Sequence, residues 1–336
     1  MEIGLLFAQL AMVALVILGS AHFMTQSADT IAEKTGLGRT FIGVVLLATA
    51  TSLPELGTGV TTIRLDQPDL AVGDAFGSNV FNLLIVGILD AAWKNGPLLD
   101  HHGMTPTTII IGGAGIAIIA IAVMGIFIGE SIFSLGWISP ISVLLLMVFL
   151  GAMWIIYRSE SNESNNGSVE ETESGGLLRA VVIYFIAMII VVGAAIWLSL
   201  IGERVVHVTG MDASFVGTQF LALSTSLPEL AASIAAIRIS APELAISNVL
   251  GSNLFNMGFV LFVDDAVLTS GSLWDAAAKV HILTAGGAIL MTAIVIIALA
   301  VQSRARRPSR FTIESLLLVA AYILISAAVF KGLGPA

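Results

Sequence analysis

The sequence predicts an all-α polytopic membrane protein whose ten transmembrane helices form two inverted five-helix repeats. Three observations carry this. Hydrophobic residues make up 57% of the 336 and charged residues only 11%, where an ordinary soluble domain is about 25% charged. Apolar runs of about 20 residues, each enough to cross a hydrocarbon core of ~30 Å, recur along the chain. A shift of 174 residues lays one half of the chain on the other, pairing Gly43 with Gly217.

Taken in order, the apolar runs place helices at 4–24, 40–64, 69–93, 106–129, 134–157, 177–200, 212–238, 243–265, 279–301 and 311–331. Nothing basic precedes the first run and it has a counterpart in the second half, so it is expected to be a retained helix and not a signal peptide. The stretch 159–176 (SESNESNNGSVEETESGG) is polar and has almost nothing to bury, so it reads as a linker. The expected organisation is a first five-helix repeat at 1–157, a linker at 158–178 and a second, inverted repeat at 179–336.

The repeat is strongest where Gly43 to Gly87 pairs without a gap with Gly217 to Leu261, with 20 of 45 positions identical. The same shift pairs Gly19 with Gly193, Asp29 with Glu203, Gly36 with Gly210 and Phe41 with Phe215. Five helices is an odd number, so the second copy enters the membrane from the opposite side, a topology suited to alternating access.

Within the repeat, Thr51-Ser-Leu-Pro-Glu55 and Thr225-Ser-Leu-Pro-Glu229 fall near the midpoints of the second and seventh helices. A carboxylate at the centre of a membrane helix costs ~2.5 kcal/mol or more, which marks Glu55 and Glu229 as functional candidates. Pro54 and Pro228 should open each helix, freeing carbonyls, including those of Ala48 and Ala222, to point into a cavity. Ala48, Ser52 and Glu55 share one helix face. The next helix of each half carries Gly77-Ser-Asn-Val-Phe-Asn82 or Gly251-Ser-Asn-Leu-Phe-Asn256. Its serine and last asparagine stack four residues apart, and its glycine admits close packing.

An all-oxygen cluster with two carboxylates suits a hard cation, calcium in particular. Zinc or copper would call for cysteine or histidine. The chain has no cysteine, and all five histidines (His22, His101, His102, His207, His281) lie toward predicted helix ends or loops. Two buried carboxylates are costly to enclose empty, so a site that moves only when filled works as an antiporter. The absence of H-E-x-x-H, G-x-S-x-G and Walker A patterns argues against an enzyme. Inverted halves argue against a passive channel.

At these residues the sequence resembles the cation/calcium antiporter superfamily, whose repeats carry G-T-S-L-P-E and G-N-x-x-G-S-N motifs, and within it the sodium/calcium exchanger branch. The resemblance implies that Glu55 and Glu229 bind calcium, with Ser52, Ser226, Thr51, Thr225, Ser78, Ser252, Asn82 and Asn256 completing calcium and sodium sites. Ala50 and Ser224 stand where the family has glycine, and Asp74 where it has asparagine, which its partner Asn248 keeps. Asp74 and Asn248 are therefore placed on the pathway. The proton-coupled branch usually has G-N-A-x-E in place of T-S-L-P-E, so sodium is the expected counter-ion and a proton-coupled cation antiporter the alternative.

Loops on one side hold Lys34, Arg39, Lys94, Arg158, Arg179, Arg238, Arg304, Arg306, Arg307 and Arg310, and the other side only Arg64, Arg204, Lys279 and Lys331. Positive residues stay cytoplasmic, so the N-terminus is expected outside and the central loop in the cytosol, in an inner (plasma) membrane. No cofactor and no nucleic-acid partner are expected, and a monomer should suffice. Asp90, Asp264 and Asp265, at predicted helix ends, read as solvated caps. Trp93, Trp137, Trp154 and Trp197 read as an interfacial belt.

Overall fold

A computed structural model of the chain describes residues 2–93, 98–100, 106–129, 137–164, 175–209, 222–301 and 312–331. Among the described residues, ten principal helices follow in order: α1 (Glu2–Thr35), α2 (Arg39–Arg64), α3 (Pro68–Ala92), α4 (Pro106–Ile128), α5 (Pro140–Ser164), α6 (Gly175–Thr209), α7 (222–238), α8 (Pro242–Val267), α9 (Val280–Val301) and α10 (Ile313–Phe330). Among the described residues, nine are long and apolar enough to cross a membrane. The tenth, α7, is described only from 222, and the predicted 212–221 lies outside the described residues.

The expected boundaries need correction where polar residues extend a helix by packing. α1 runs to Thr35 because Thr25 donates to the Ala232 carbonyl of α7 (3.2 Å) and Asp29 pairs with Arg39 (2.6 Å). α5 runs to Ser164, inside the expected linker, because Ser159 meets Thr107 (2.9 Å) and Glu160 packs over Gly38. Residues 165–174 of that linker, His101, His102 and the Arg304–Arg310 cluster lie outside the described residues.

α2, α3, α7 and α8 form the buried centre. α1 lies along α6 on one flank, while α4, α5, α9 and α10 cover the other. Contacts obey the repeat: α2 packs on α8 as α7 packs on α3, and α3 on α10 as α8 on α5. The turns between the paired helices also match. Asp66 (φ 57°) and Ser240 (φ 60°) each take the left-handed conformation that closes a helix, with Gln67 N–H donating to Thr62 O and Ala241 N–H to Ala236 O, both at 2.9 Å.

α2 and α8 each contain a π-helical segment, Gly43–Leu47 and Asn256–Val260; the latter breaks the symmetry, since its repeat mate in α3 is ordinary α-helix. α3 has 25 residues and α8 has 26, though both begin at the paired prolines Pro68 and Pro242. The widened turn in α8 absorbs the extra residue, so beyond it structural equivalence shifts by one position.

The three aspartates are buried, not solvated. Asp90 accepts from the Leu98 N–H (2.6 Å) and the Thr312 hydroxyl, and Asp265 accepts from Ser139 N–H (2.7 Å) and Leu273 N–H (2.9 Å). They close the ends of α3 and α8. Trp93 is buried as well, while Trp137, Trp154 and Trp197 are exposed as an interfacial role requires.

Candidate functional site

Both T-S-L-P-E motifs sit at a helix interruption. In α2 the interruption falls at Ser52 (φ −91°, ψ 5°), and in α7 at Ser226 (φ −87°, ψ 4°), each followed by a new segment, Leu53–Arg64 or Leu227–Arg238, with proline in its first turn. Proline supplies no N–H and is tolerated there. Each glutamate stands in the first turn of the new segment and is buried, Glu55 at 1% and Glu229 at 0% exposure.

The freed carbonyls are not those expected. Ala48 O accepts the Ser52 N–H and Ala222 O the Ser226 N–H, both at 3.0 Å, so the helix holds past Ala48 and Ala222. The carbonyl that a proline N–H would have served lies four residues before it, which makes Ala50 and Ser224 the positions deprived of that donor.

The halves interlock through their side chains. Ser52 Oγ donates to Glu229 Oε1 (3.0 Å) and Ser226 Oγ to Glu55 Oε1 (3.2 Å), so each glutamate is held by the serine of the other half. Thr51 Oγ1 meets Ser252 Oγ (3.3 Å) and Asn248 Oδ1 (3.3 Å). Its repeat mate Thr225 meets Ser78 Oγ (3.4 Å) and Asp74 Oδ1 (3.3 Å). Ten predicted residues, among them Asp74 and Asn248, thus join one buried cluster.

Asn82 and Asn256 behave differently. Asn82 Nδ2 donates to Asn253 Oδ1 (3.0 Å), and Asn253 Nδ2 to the Asn79 carbonyl (3.2 Å). Asn256 opens the π segment of α8, and both its amide atoms are buried without a hydrogen-bond partner, as is Asn82 Oδ1. Glu55 Oε2 and Glu229 Oε2 are buried without a partner too. Unpaired carboxylate oxygens in a water-poor interior are expensive, and a hard cation satisfies them without a proton donor.

Residues 5–158 and 179–331 match the family model described as sodium/calcium exchanger protein. The chain belongs to this family. Inner membrane protein YrbG of Escherichia coli (strain K12) is 26% identical over 269 residues, which cover 77% of this chain and 78% of that protein. Human sodium/potassium/calcium exchanger 1 is 30% identical over 117 residues, covering 35% of this chain and 10% of the human protein. The fold matches that of the sodium-calcium exchanger NCX_Mj with a TM-score of 0.72 at 20% identity, over 97% of this chain and 99% of that one.

As a sodium/calcium exchanger family member the chain is a transporter, not an enzyme, and its motifs carry residues that the chemical reading passed over. Asn79 and Asn253, the third residues of the two Gly-Ser-Asn triplets, tie α3 to α8. Ser233 accepts from Asn248 Nδ2 (3.0 Å) and fixes that amide beside the cluster. Identity of the triplets at the 174-residue shift was the available signal for the asparagines. Ser233 pairs with Gly59 in the repeat, so no such signal existed for it.

Proposed function

We propose that the chain exchanges sodium for calcium by alternating access at a pocket midway through the membrane, with Glu55 and Glu229 as its paired ligands. The carrying observation is the crossed bonding. Each glutamate is fixed through one oxygen by the opposite half and keeps the other oxygen unpaired in the buried interior. Serine and threonine hydroxyls from all four central helices supply further oxygens, the donor set of a hard cation. Neutralising two carboxylates requires one divalent or several monovalent ions, which makes exchange of one for the other the natural cycle. In this reading 1–157 and 179–336 are the inverted units joined by 158–178, the central loop is cytoplasmic, and a monomer is functional.

The test is sodium-gradient-driven uptake of calcium-45 in proteoliposomes, wild type beside Glu55→Gln. Uptake that needs the outwardly directed sodium gradient and is lost in the variant is expected. Uptake driven equally by a proton gradient without sodium would transfer the mechanism to proton coupling, and flux without any counter-ion would refute antiport.

A further inference from the structure

The extra residue in α8 separates two adjacent aspartates that the repeat would otherwise confuse. By the 174-residue shift Asp264 is the mate of Asp90, but past the π segment the equivalence moves to 175, and the capping bonds follow it. Asp90 takes the N–H of Leu98 and Asp265 that of Leu273, each eight residues ahead. α3 ends at Ala92 and α8 at Val267. The structural counterpart of Asp264 is therefore Leu89, a fully buried core position. Where the first half has a leucine, the second has a carboxylate.

That carboxylate has no partner. Asp264 is at 0% exposure, and neither oxygen makes a hydrogen bond. It lies against Gly59 of α2, where a Cβ would come within 2.4 Å of Oδ1 and 2.5 Å of Oδ2. Gly59 is four residues beyond Glu55, so both stand on the same face of α2, one turn apart. Its repeat mate Ser233 fills the corresponding place with a side chain bonded to Asn248. In the first half that pair becomes Gly59 and Asp74, with a charge added and a side chain deleted. Asp74 and Asp265 act electrostatically on Asp264, and Asp74 also touches the central cluster through Thr225.

We propose that Asp264, buried and unpartnered against Gly59, is a second station for a hard cation, Ca²⁺ or Na⁺, between the central pocket and the membrane face where α2 turns into α3. The widened turn of α8 is the device that points it inward, a common use of π segments. A carboxylate with no donor in a dry interior is costly to keep charged, and a cation beside it removes that cost. This inference rests on the proposed passage of hard cations through the central pocket.

The test uses the full chain in proteoliposomes, with D264N, G59A and D264L, the last placing there the leucine of the other half. Half-saturating calcium-45 and sodium-22 are measured on the α2–α3 face, which the charge reading puts outside. Calcium affinity follows ligand charge, so a rise of about tenfold in one or both arms is expected for all three variants, with exchange at saturating ion retained and melting temperature not lowered in D264N. A rise in the calcium arm alone makes the station divalent, and in the sodium arm alone monovalent. Unchanged half-saturation in both arms overturns the proposal, and is what a permanently protonated carboxyl predicts. If wild type does not exchange, the central reading fails instead. The station is then judged by calcium-45 and sodium-22 binding to detergent-purified E55Q/E229Q chain, where residual binding must vanish on adding D264N.

Discussion

Gly77 and Gly251 are repeat mates in identical Gly-Ser-Asn triplets, yet alanine at the two positions should behave oppositely. A Cβ at 251 would stand 2.9 Å from the Val44 Cα and 3.0 Å from the Ala48 Cβ, whereas at 77 the nearest atom is the Ala222 Cβ at 3.4 Å. Carbon atoms prefer about 3.5–4.0 Å, so G251A requires α8 to move away from the α2 backbone and G77A needs almost no movement. Both variants gain ~0.5–1 kcal/mol because alanine is the better helix former, and that term cancels in the comparison. Overpacking costs ~1–3 kcal/mol. G251A should therefore be less stable than G77A by about 1–3 kcal/mol, and G77A at least as stable as wild type. Thermal unfolding of both in detergent measures the gap, at roughly 2–4 °C per kcal/mol for a domain of moderate size. Equal melting temperatures would refute the argument. If alternating access swaps the conformations of the two halves, Gly77 makes the tight contact in the opposite state, so G77A should be stable but slow in exchange.

Glu55→Gln and Glu229→Gln each remove a ligand charge; a loss of ~3 kcal/mol corresponds to about 100-fold weaker calcium affinity, read by calcium-45 binding, with the fold retained. Ser52→Ala deletes a donor to a carboxylate at 3.0 Å, worth ~1.5–3 kcal/mol, and its effect should be non-additive with Glu229→Gln but additive with Glu55→Gln in a double-mutant cycle of calcium affinity. Tyr184 donates to the Leu46 carbonyl (2.7 Å) in the π segment of α2, so Tyr184→Phe should lower stability by ~0.5–1.5 kcal/mol in thermal unfolding. Asp74→Asn restores the amide of the other half, keeps an acceptor for Thr225 and should leave the fold intact while changing the ion ratio, read from the reversal potential of calcium-45 flux.

Much of this was legible because membrane physics leaves few options. Helices were placed by hydropathy, and a glutamate flanked by apolar residues at the centre of a span had to face the interior. The repeat then required Glu55 and Glu229 to occupy matching positions, and the crossed serine bonds realise that. What sequence alone missed involves geometry at the level of one residue. The donor-deprived carbonyls fall at Ala50 and Ser224 because the helix continues through Ala48 and Ala222 up to the serines. A gap-free alignment through Leu261 hides the π turn of α8, since a helix accommodates an added residue without altering apolar pattern. Asp264 and Asp265 therefore looked like one pair of end caps, although one closes the helix and the other faces α2.

The interlocking also restricts how access alternates. Moving the two sequence halves apart as rigid bodies would break Ser52 to Glu229, Ser226 to Glu55, Thr51 to Ser252, Thr225 to Asp74 and Asn82 to Asn253 together. Bonds to charged groups alone contribute ~1.5–3 kcal/mol each, and no ion could replace all of them at once. On the proposed mechanism the four central helices would then keep these pairings through the cycle, and the opening would come from their covering. α1 and α6 pack chiefly on each other and meet the centre through few polar contacts, among them Thr25 to the Ala232 carbonyl, the Asp29–Arg39 ion pair and Tyr184 to the Leu46 carbonyl. In the proposed cycle the repeats defined by sequence would then not move as rigid bodies, and the α1–α6 pair would be the part that changes which face the central pocket sees.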